Sequence, residues 1–214
     1  EYGIKITLTE KITYKILPSP NFEIEESILY LEKKDKNNEF AKVKKLKVFV
    51  SARTLYKQEE IIIKRAVFEE SVFNFNRNSW KFIKNYLQKP ISNNKIFIKK
   101  SKIFIKKNSN NGALAIFSIK NLEASFNNEK NHNNLNIVGN MFNSPFKFSW
   151  QNDLNFSGKS KSILKLSDIN LAIKNEIQKS IFEDKILYVG NQKLNFFGSQ
   201  INTKYKFDDK LLTF

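Results

Sequence analysis

The side chains able to do chemistry are few and poorly spaced for it. His132 is the only histidine in 214 residues, and it stands in the Asn-rich stretch 127–134, which reads as a solvated loop. Zinc sites take several Cys, His or carboxylate ligands at defined spacing, and with no Cys and no second His a hydrolytic zinc site is effectively excluded. Carboxylates come in doublets at Glu25-Glu26, Glu59-Glu60, Glu69-Glu70 and Asp208-Asp209. A glycosidase needs two carboxyls about 5 to 9 Å apart across one cleft, whereas adjacent strand residues point to opposite faces. The doublets are therefore expected at turns and on solvent faces. The six glycines form no phosphate-cradling loop of the GxGxxG or GxxxxGK type. The expectation is a protein without enzymatic activity, metal or cofactor.

Lys99, Lys100, Lys102, Lys106 and Lys107 interleave with Ile and Phe, a pattern compatible with a single-stranded nucleic-acid surface. Phe97 and Phe104 fall within tight alternation, however, where core or groove lining is the commoner role, so nucleic acid is not the expected partner. The net charge of +16 and pI near 9.8 point in general to polyanions or anionic membranes. Here Lys, Asn, Ile and Phe are overused together, and all have A/T-rich codons, so base composition can supply the charge. Arg, the better fork for phosphate, is scarce. Absence of Cys rules out disulfides and suits cytosol and periplasm alike. No apolar run approaches the roughly 20 residues of a membrane helix, and there is no charged-then-apolar leader. A start at Glu1 without Met and a strand-like close over residues 210–214 read as a fragment.

The elements that must position these residues are strands. With 41% apolar and 14% aromatic residues, the chain is expected to fold rather than stay disordered. Residues 22–31 (FEIEESILYL) resemble residues 96–105 (IFIKKSKIFI), and each is followed by a polar loop and a return strand, Val43 to Leu46 in one copy and Ile119 to Leu122 in the other. Self-similarity of this kind marks units that bury their apolar faces by stacking on neighbours. Period-two alternation predicts half-buried strands at Tyr2 to Leu8 and Ile12 to Ile16, broken by Pro18 and Pro20. The same alternation recurs at Leu46 to Val50, Val72 to Phe75, and Phe146 to Trp150, while Glu59 to Ile63 with Val67-Phe68 read as a strand with apolar residues on both faces. A helix is predicted over residues 79–88, capped at Asn78 or Ser79 and ended by Pro90. Residues 168–182 fit strand or helix. Gly190-Asn191 reads as a tight turn. Strands at intervals of about 10 residues with few helices predict a mainly β protein, an extended curved antiparallel sheet, groove-like or sandwich. Residues 1–90 form its first region, and residues 91–214 a second repeat unit and continuing sheet.

Gly3-Ile4-Lys5-Ile6, the strand ending in Leu17-Pro18-Ser19-Pro20, and the alternating strand from Phe22 to Ile28 follow in an order that resembles the N-terminal domain of the AsmA-like proteins of Gram-negative bacteria. The resemblance runs on through Val43 to Val50, Ser51 to Leu55, Glu60 to Ile63, Ala66 to Phe68, and Phe73 to Trp80, and it covers about residues 1–90. Thr9-Glu10-Lys11 departs from it, because that connection lacks the Gly or Asn a tight hairpin favours. The resemblance implies a periplasmic module, anchored in the inner membrane by a helix upstream of Glu1. It also implies a role in outer-membrane and envelope biogenesis and phospholipid transport along an apolar groove. The residues supply a physical basis, since each CH₂ taken from water contributes about 0.8 kcal/mol, enough for an apolar strip to hold acyl chains without a polar site. Phe22, Ile24, Ile62, Phe73, Phe75, Phe104 and Phe117 are the candidates for groove or core lining. The alternative is a β-sandwich binding or adhesion module for an anionic glycan or protein partner.

Overall fold

The computed structural model describes residues 4–31, 38–53, 61–106, 112–155, 158–182, 185–207 and 212–213. Its elements are β1 (Ile4–Leu8), β2 (Ile12–Lys15), β3 (Asn21–Leu31), β4 (Asn38–Val50), β5 (Ile63–Glu69), β6 (Val72–Phe75), helix α1 (Arg77–Leu87), β7 (Lys95–Lys106), β8 (Ala113–Asn127), β9 (His132–Met141), β10 (Ser144–Asp153), β11 (Ser160–Leu166), β12 (Leu171–Phe182), β13 (Lys185–Phe196), β14 (Ser199–Phe207) and β15 (Leu212–Thr213). The protein is mainly β, and all the described strands join one sheet. Its order is β1-β3-β4-β5-β7, then β8 to β15 in sequence, with β2 also on β3 and β6 between β4 and β7.

The sheet is mixed rather than wholly antiparallel. β5 and β6 both pair with β7 in parallel, because the chain leaves β6, crosses over through α1 and re-enters in the same direction, the connection that parallel neighbours require. The ladder therefore runs unbroken across residue 90. Asn76 begins the crossover: its Oδ1 accepts the Ser79 backbone N–H at 3.0 Å, so the cap lies two residues before the earlier candidate of the pair expected from the sequence.

From β7 onward the strands form a meander with short turns. Phe142 and Asn143 both take left-handed φ, 50° and 61°, and so do Phe197 and Gly198, 44° and 84°, the conformation that lets a two-residue hairpin match the strand twist. Residues 167–170 turn and Leu171–Phe182 is strand, which resolves the ambiguous segment.

Three other expectations are corrected. Thr9-Glu10-Lys11 is no hairpin: β1 pairs with the second half of β3 and β2 with the first half, so the three residues are a bulge within one edge strand. Gly190-Asn191 lies in the middle of β13, opposite Ile177 and Tyr205; a Cβ on Gly190 would stand 2.1 Å from the Tyr205 ring, so the glycine makes room for that ring. His132 is not in a solvated loop. It opens β9, is 9% exposed, and its Nε2 lies 2.9 Å from Gln151 Nε2. The Asn-rich loops before β4 and after β7, with Glu59-Glu60 and Asp208-Asp209, lie largely or wholly outside the described residues.

Alternation gives the sheet a mainly apolar inner face, crossed in β11 to β14 by Ser162, Asn175, Gln192 and Thr203, and an outer face where Lys and Glu stand among Phe49, Phe97, Phe104 and Ile116. α1 and the segment after it cover the inner face in its middle. Phe82 and Ile83 pack against a buried cluster that includes Ile24, Leu29, Phe40, Val43 and Phe73, while Tyr86 and Leu87 join Ile91 over Ile119, Leu122, Phe146 and Leu166. Asn133, fully buried, fastens this cover. Its Oδ1 accepts from the Ile91 N–H at 3.0 Å, and its Nδ2 donates to the carbonyls of Leu87 and Lys89 at 3.0 and 2.8 Å. One side chain thus satisfies three backbone groups at the helix C-terminus, with Asn152 Nδ2 a second donor to the Leu87 carbonyl at 3.3 Å.

Candidate functional site

Two features of the sheet bear on function, a line of kinks crossing it and the reach of its apolar face. In β3 the inward positions are Phe22 and Ile24, then Ser27, Leu29 and Leu31. The step from 24 to 27 breaks the period of two. Glu26 makes it by adopting φ 49°, which leaves both Glu25 and Glu26 exposed. The expectation that such doublets face solvent holds here, but not their assignment to opposite faces. The same step occurs in β5–β6, where Ala66 and Phe68 are followed by Ser71, Phe73 and Phe75 about Glu70 at φ 52°, and in β7, where Ile96 and Ile98 are followed by Ser101, Ile103 and Ile105 about Lys100 at φ 48°. β4 steps from Val43 to Leu46 and β8 from Ile119 to Leu122 without loss of register against β3 and β7.

The two similar segments are thus equivalent strands. Residues 66–75 (AVFEESVFNF) are a third copy between them that the sequence reading passed over. The Glu-Glu-Ser and Lys-Lys-Ser triplets were the available signal. Non-glycine residues in the left-handed region cost about 1–2 kcal/mol each, so the surroundings must hold the kinks in place. Behind each kink stands a serine that is nearly inaccessible, Ser27, Ser71 and Ser101. Ser101 Oγ accepts the Ser71 N–H at 3.0 Å and donates to the Lys99 carbonyl at 2.7 Å.

On the outer face the kinked residues line up across the strands as Glu26, Lys44, Glu70, Lys100 and Lys120, bracketed by the paired residues on either side. Lys44 Nζ lies 2.7 Å from Glu70 Oε2; the hydrogen bond and charge of each raise the lysine and lower the carboxyl from their usual ranges. Beside this row Glu23, with its side chain 4% exposed, takes Lys15 at 2.6 Å and Lys45 at 2.7 Å. Those two hydrogen-bonded cations hold its pKa down at about 2 against the opposing effect of burial. These are ion pairs between neighbouring strands of the outer face. No group of three or more His, Cys, Asp or Glu among the described residues could hold a metal.

The inner face is the second feature. Of the seven candidate lining residues, Ile24 and Phe73 lie in the cluster beneath α1, with Phe75 packed against it, and Phe117 packs against the neighbouring cluster. Phe22 is on the same face, 5.1 Å from the Tyr14 ring. Phe104 is on the outer face, opposite Asn74 and Ile116. Ile62 precedes β5 and is exposed. The structure therefore gathers five of the seven on one face and leaves two elsewhere.

That apolar face extends past its cover on both sides. Toward the first edge, Ile4, Ile6, Leu8, Ile12 and Tyr14 all point inward and all are exposed, Ile6 by 51%. Toward the other, Leu164, Ile173, Ile177, Leu194, Phe196 and Ile201 continue the inner face through β11 to β14. Neither buried cluster reaches past Leu171, and Ile201 is 60% exposed. Stacked rings of Tyr188 and Phe207, 4.8 Å apart, close this strip. None of the family models matches the chain, and no curated protein matches it. No helix among the described residues is long and apolar enough to cross a membrane.

Proposed function

We propose that this chain is a non-enzymatic β-module of the AsmA-like class, seating phospholipid acyl chains along the uncovered parts of its apolar face. Its place in this reading is the periplasm, at an inner-membrane anchor, in outer-membrane and envelope biogenesis. The resemblance over residues 1–90 supplies the class and the location. The observation that carries the lipid part is the continuation of one apolar face through β11 to β14 beyond the cover provided by α1. The strip Leu164, Ile173, Leu194 and Ile201 runs across four strands, half-buried to exposed, with the polar row Ser162, Asn175, Gln192 and Thr203 along one side of it. Exposed apolar surface beside polar residues marks a binding surface, and acyl chains ask only for apolar area, at about 0.8 kcal/mol per buried CH₂. The sandwich alternative calls for a second packed sheet, whereas the described strands form one.

The test is direct. Protein purified under native conditions is extracted and its lipid identified by mass spectrometry, alongside Ile173→Glu and Leu194→Glu, which place a charge on the uncovered face. Co-purified phospholipid that both substitutions remove is the expected result. A chain that carries no lipid, or carries it regardless of either charge, defeats the reading.

A further inference from the structure

The row of kinked residues does not stop at Lys120. Asn121, its neighbour, pairs with Val138 of β9, Val138 with Lys147 of β10, and Lys147 with Lys165 of β11. Across β3 to β7 the row alternates Glu26, Lys44, Glu70, Lys100, each charge beside its opposite. Beyond Lys100 it continues as Lys120, Lys147 and Lys165 with Val138 between and no carboxylate in line. All three of these lysines are exposed. Base composition can set how many lysines the chain contains. It does not explain why carboxylates face them in one half of a row and are missing from the other.

We propose that the outer surface around Lys120, Lys147 and Lys165 is a docking surface for an anionic lipid bilayer, whose headgroups supply to this row the negative charges that Glu26 and Glu70 supply on the other half, since the carboxylates nearby, Glu123 and Glu176, are taken by Lys95 and Lys161. Neighbouring strands lie about 4.8 Å apart, so Lys100 and Lys120, and beyond Val138 Lys147 and Lys165, stand as closely spaced pairs on one face of the sheet. Lys100, Lys102 and Lys120 also rim a shallow depression of about 510 Å³ floored by Ile119, Val138 and Gly139, where a headgroup could settle. Single-stranded nucleic acid fits less well. It asks for stacking platforms as well as cations, and the outward aromatics, Phe97 and Phe104, both lie on β7, with none among the described residues of β8 to β11 beside Lys147 and Lys165. This surface lies on the opposite side of the sheet from the acyl-chain face proposed above and stands or falls independently of it.

Vesicle co-sedimentation of the whole chain tests this. Vesicles of phosphatidylcholine mixed with phosphatidylserine are expected to bind it, phosphatidylcholine alone is not, and binding falls as salt rises. Juxtaposed lysines contribute about five-fold each at an anionic membrane. The triple variant Lys120→Glu, Lys147→Glu, Lys165→Glu is then expected to bind about 100-fold more weakly while melting at or above the wild-type temperature, since Lys120→Glu puts an anion beside Lys100. The variant Ile173→Glu is expected to keep full vesicle binding even where it has lost bound lipid. Equal binding to both vesicle types, undiminished binding by the triple variant, or tighter binding to a single-stranded oligonucleotide than to the anionic vesicles would each overturn the proposal.

Discussion

The backbone N–H of Ser71 donates to the side-chain oxygen of Ser101 at 3.0 Å, across the parallel seam between the β5–β6 line and β7. Both residues are almost wholly buried, Ser71 at 1% and Ser101 at 2% exposed, so no water stands ready to replace that oxygen. The bond sits where Glu70 and Lys100 both adopt left-handed backbone, and it fastens two kinks to one another.

Removing it should therefore cost more than a surface hydroxyl would. Ser101→Ala leaves a buried N–H without its acceptor, and a loss of about 1–3 kcal/mol in urea denaturation is expected. The equivalent serine in β3 gives the contrast. Ser27 Oγ is buried with no partner among the described residues, so Ser27→Ala removes an unpaired polar atom and should be neutral or slightly stabilising. Equal losses from the two substitutions would show that the serines serve only as small packing groups.

Much of this architecture was legible in the sequence, and the failures have physical causes. Phe146, Phe148 and Trp150 alternate without interruption, so β10 reads at once. Helix α1 declares itself through the spacing of Ile83 and Leu87 and through Pro90. The kinks hid because two adjacent charges before a serine look like a turn. Only the left-handed φ of Glu26, Glu70 and Lys100 keeps the strand running while shifting its phase. The parallel seam was illegible because β5 and β6 are 7 and 4 residues long and nothing local distinguishes a parallel from an antiparallel neighbour. His132 and Asn133 were masked by the asparagines around them, although one begins a strand and the other fastens the helix cover. Phe104 and Ile103 are equally apolar, and which of them faces the core depends on the kink at Lys100.

Asn133 should be the most sensitive polar position. Asn133→Ala takes this partner from the Ile91 N–H and the Lys89 carbonyl and leaves the Leu87 carbonyl only Asn152 Nδ2 at 3.3 Å, and a loss of about 2–4 kcal/mol is expected. Amide exchange at Ile91 should accelerate with it. Asn133→Asp sharpens the test. A carboxylate can still accept from Ile91 but meets two carbonyl oxygens with no proton to donate, so it should fail to restore stability at neutral pH. Restoration by Asp would mean that the donor half of the contact is unimportant.

Glu23 predicts a pH dependence with a definite sign. Its folded pKa of about 2 lies below the ordinary carboxyl value of 4.5 because of Lys15 and Lys45. The unfolded state therefore binds the proton first, and the stabilisation is complete above about pH 5 and lost as the pH falls toward 2. A shift of that size corresponds to at most about 3 kcal/mol, reduced by the solvent exposure of both lysines. Glu23→Gln should lower stability at pH 7 and flatten the acid limb of the melting-temperature curve. An unchanged acid limb would assign the acid sensitivity to other carboxylates.

Gly190 and Tyr205 make the last case, one in which a clash rather than a contact carries the information. A Cβ at position 190 would fall within 2.1 to 2.6 Å of three ring atoms of Tyr205, whose hydroxyl donates to Asn175 Oδ1 at 2.7 Å. The ring is partly exposed and can swing away, but only by giving up that hydrogen bond and its place over the strand. Gly190→Ala is accordingly expected to cost about 1–3 kcal/mol, the range for forcing extra volume into a packed site. If the ring is the obstacle, the penalty should shrink in a Tyr205→Ser background, where Ala gains its better strand propensity unopposed. A double-mutant cycle measures the difference, and a coupling of at least about 1 kcal/mol is expected for residues in direct contact. Additive effects would mean that the glycine is required by the backbone of β13 itself and not by the tyrosine lying across it.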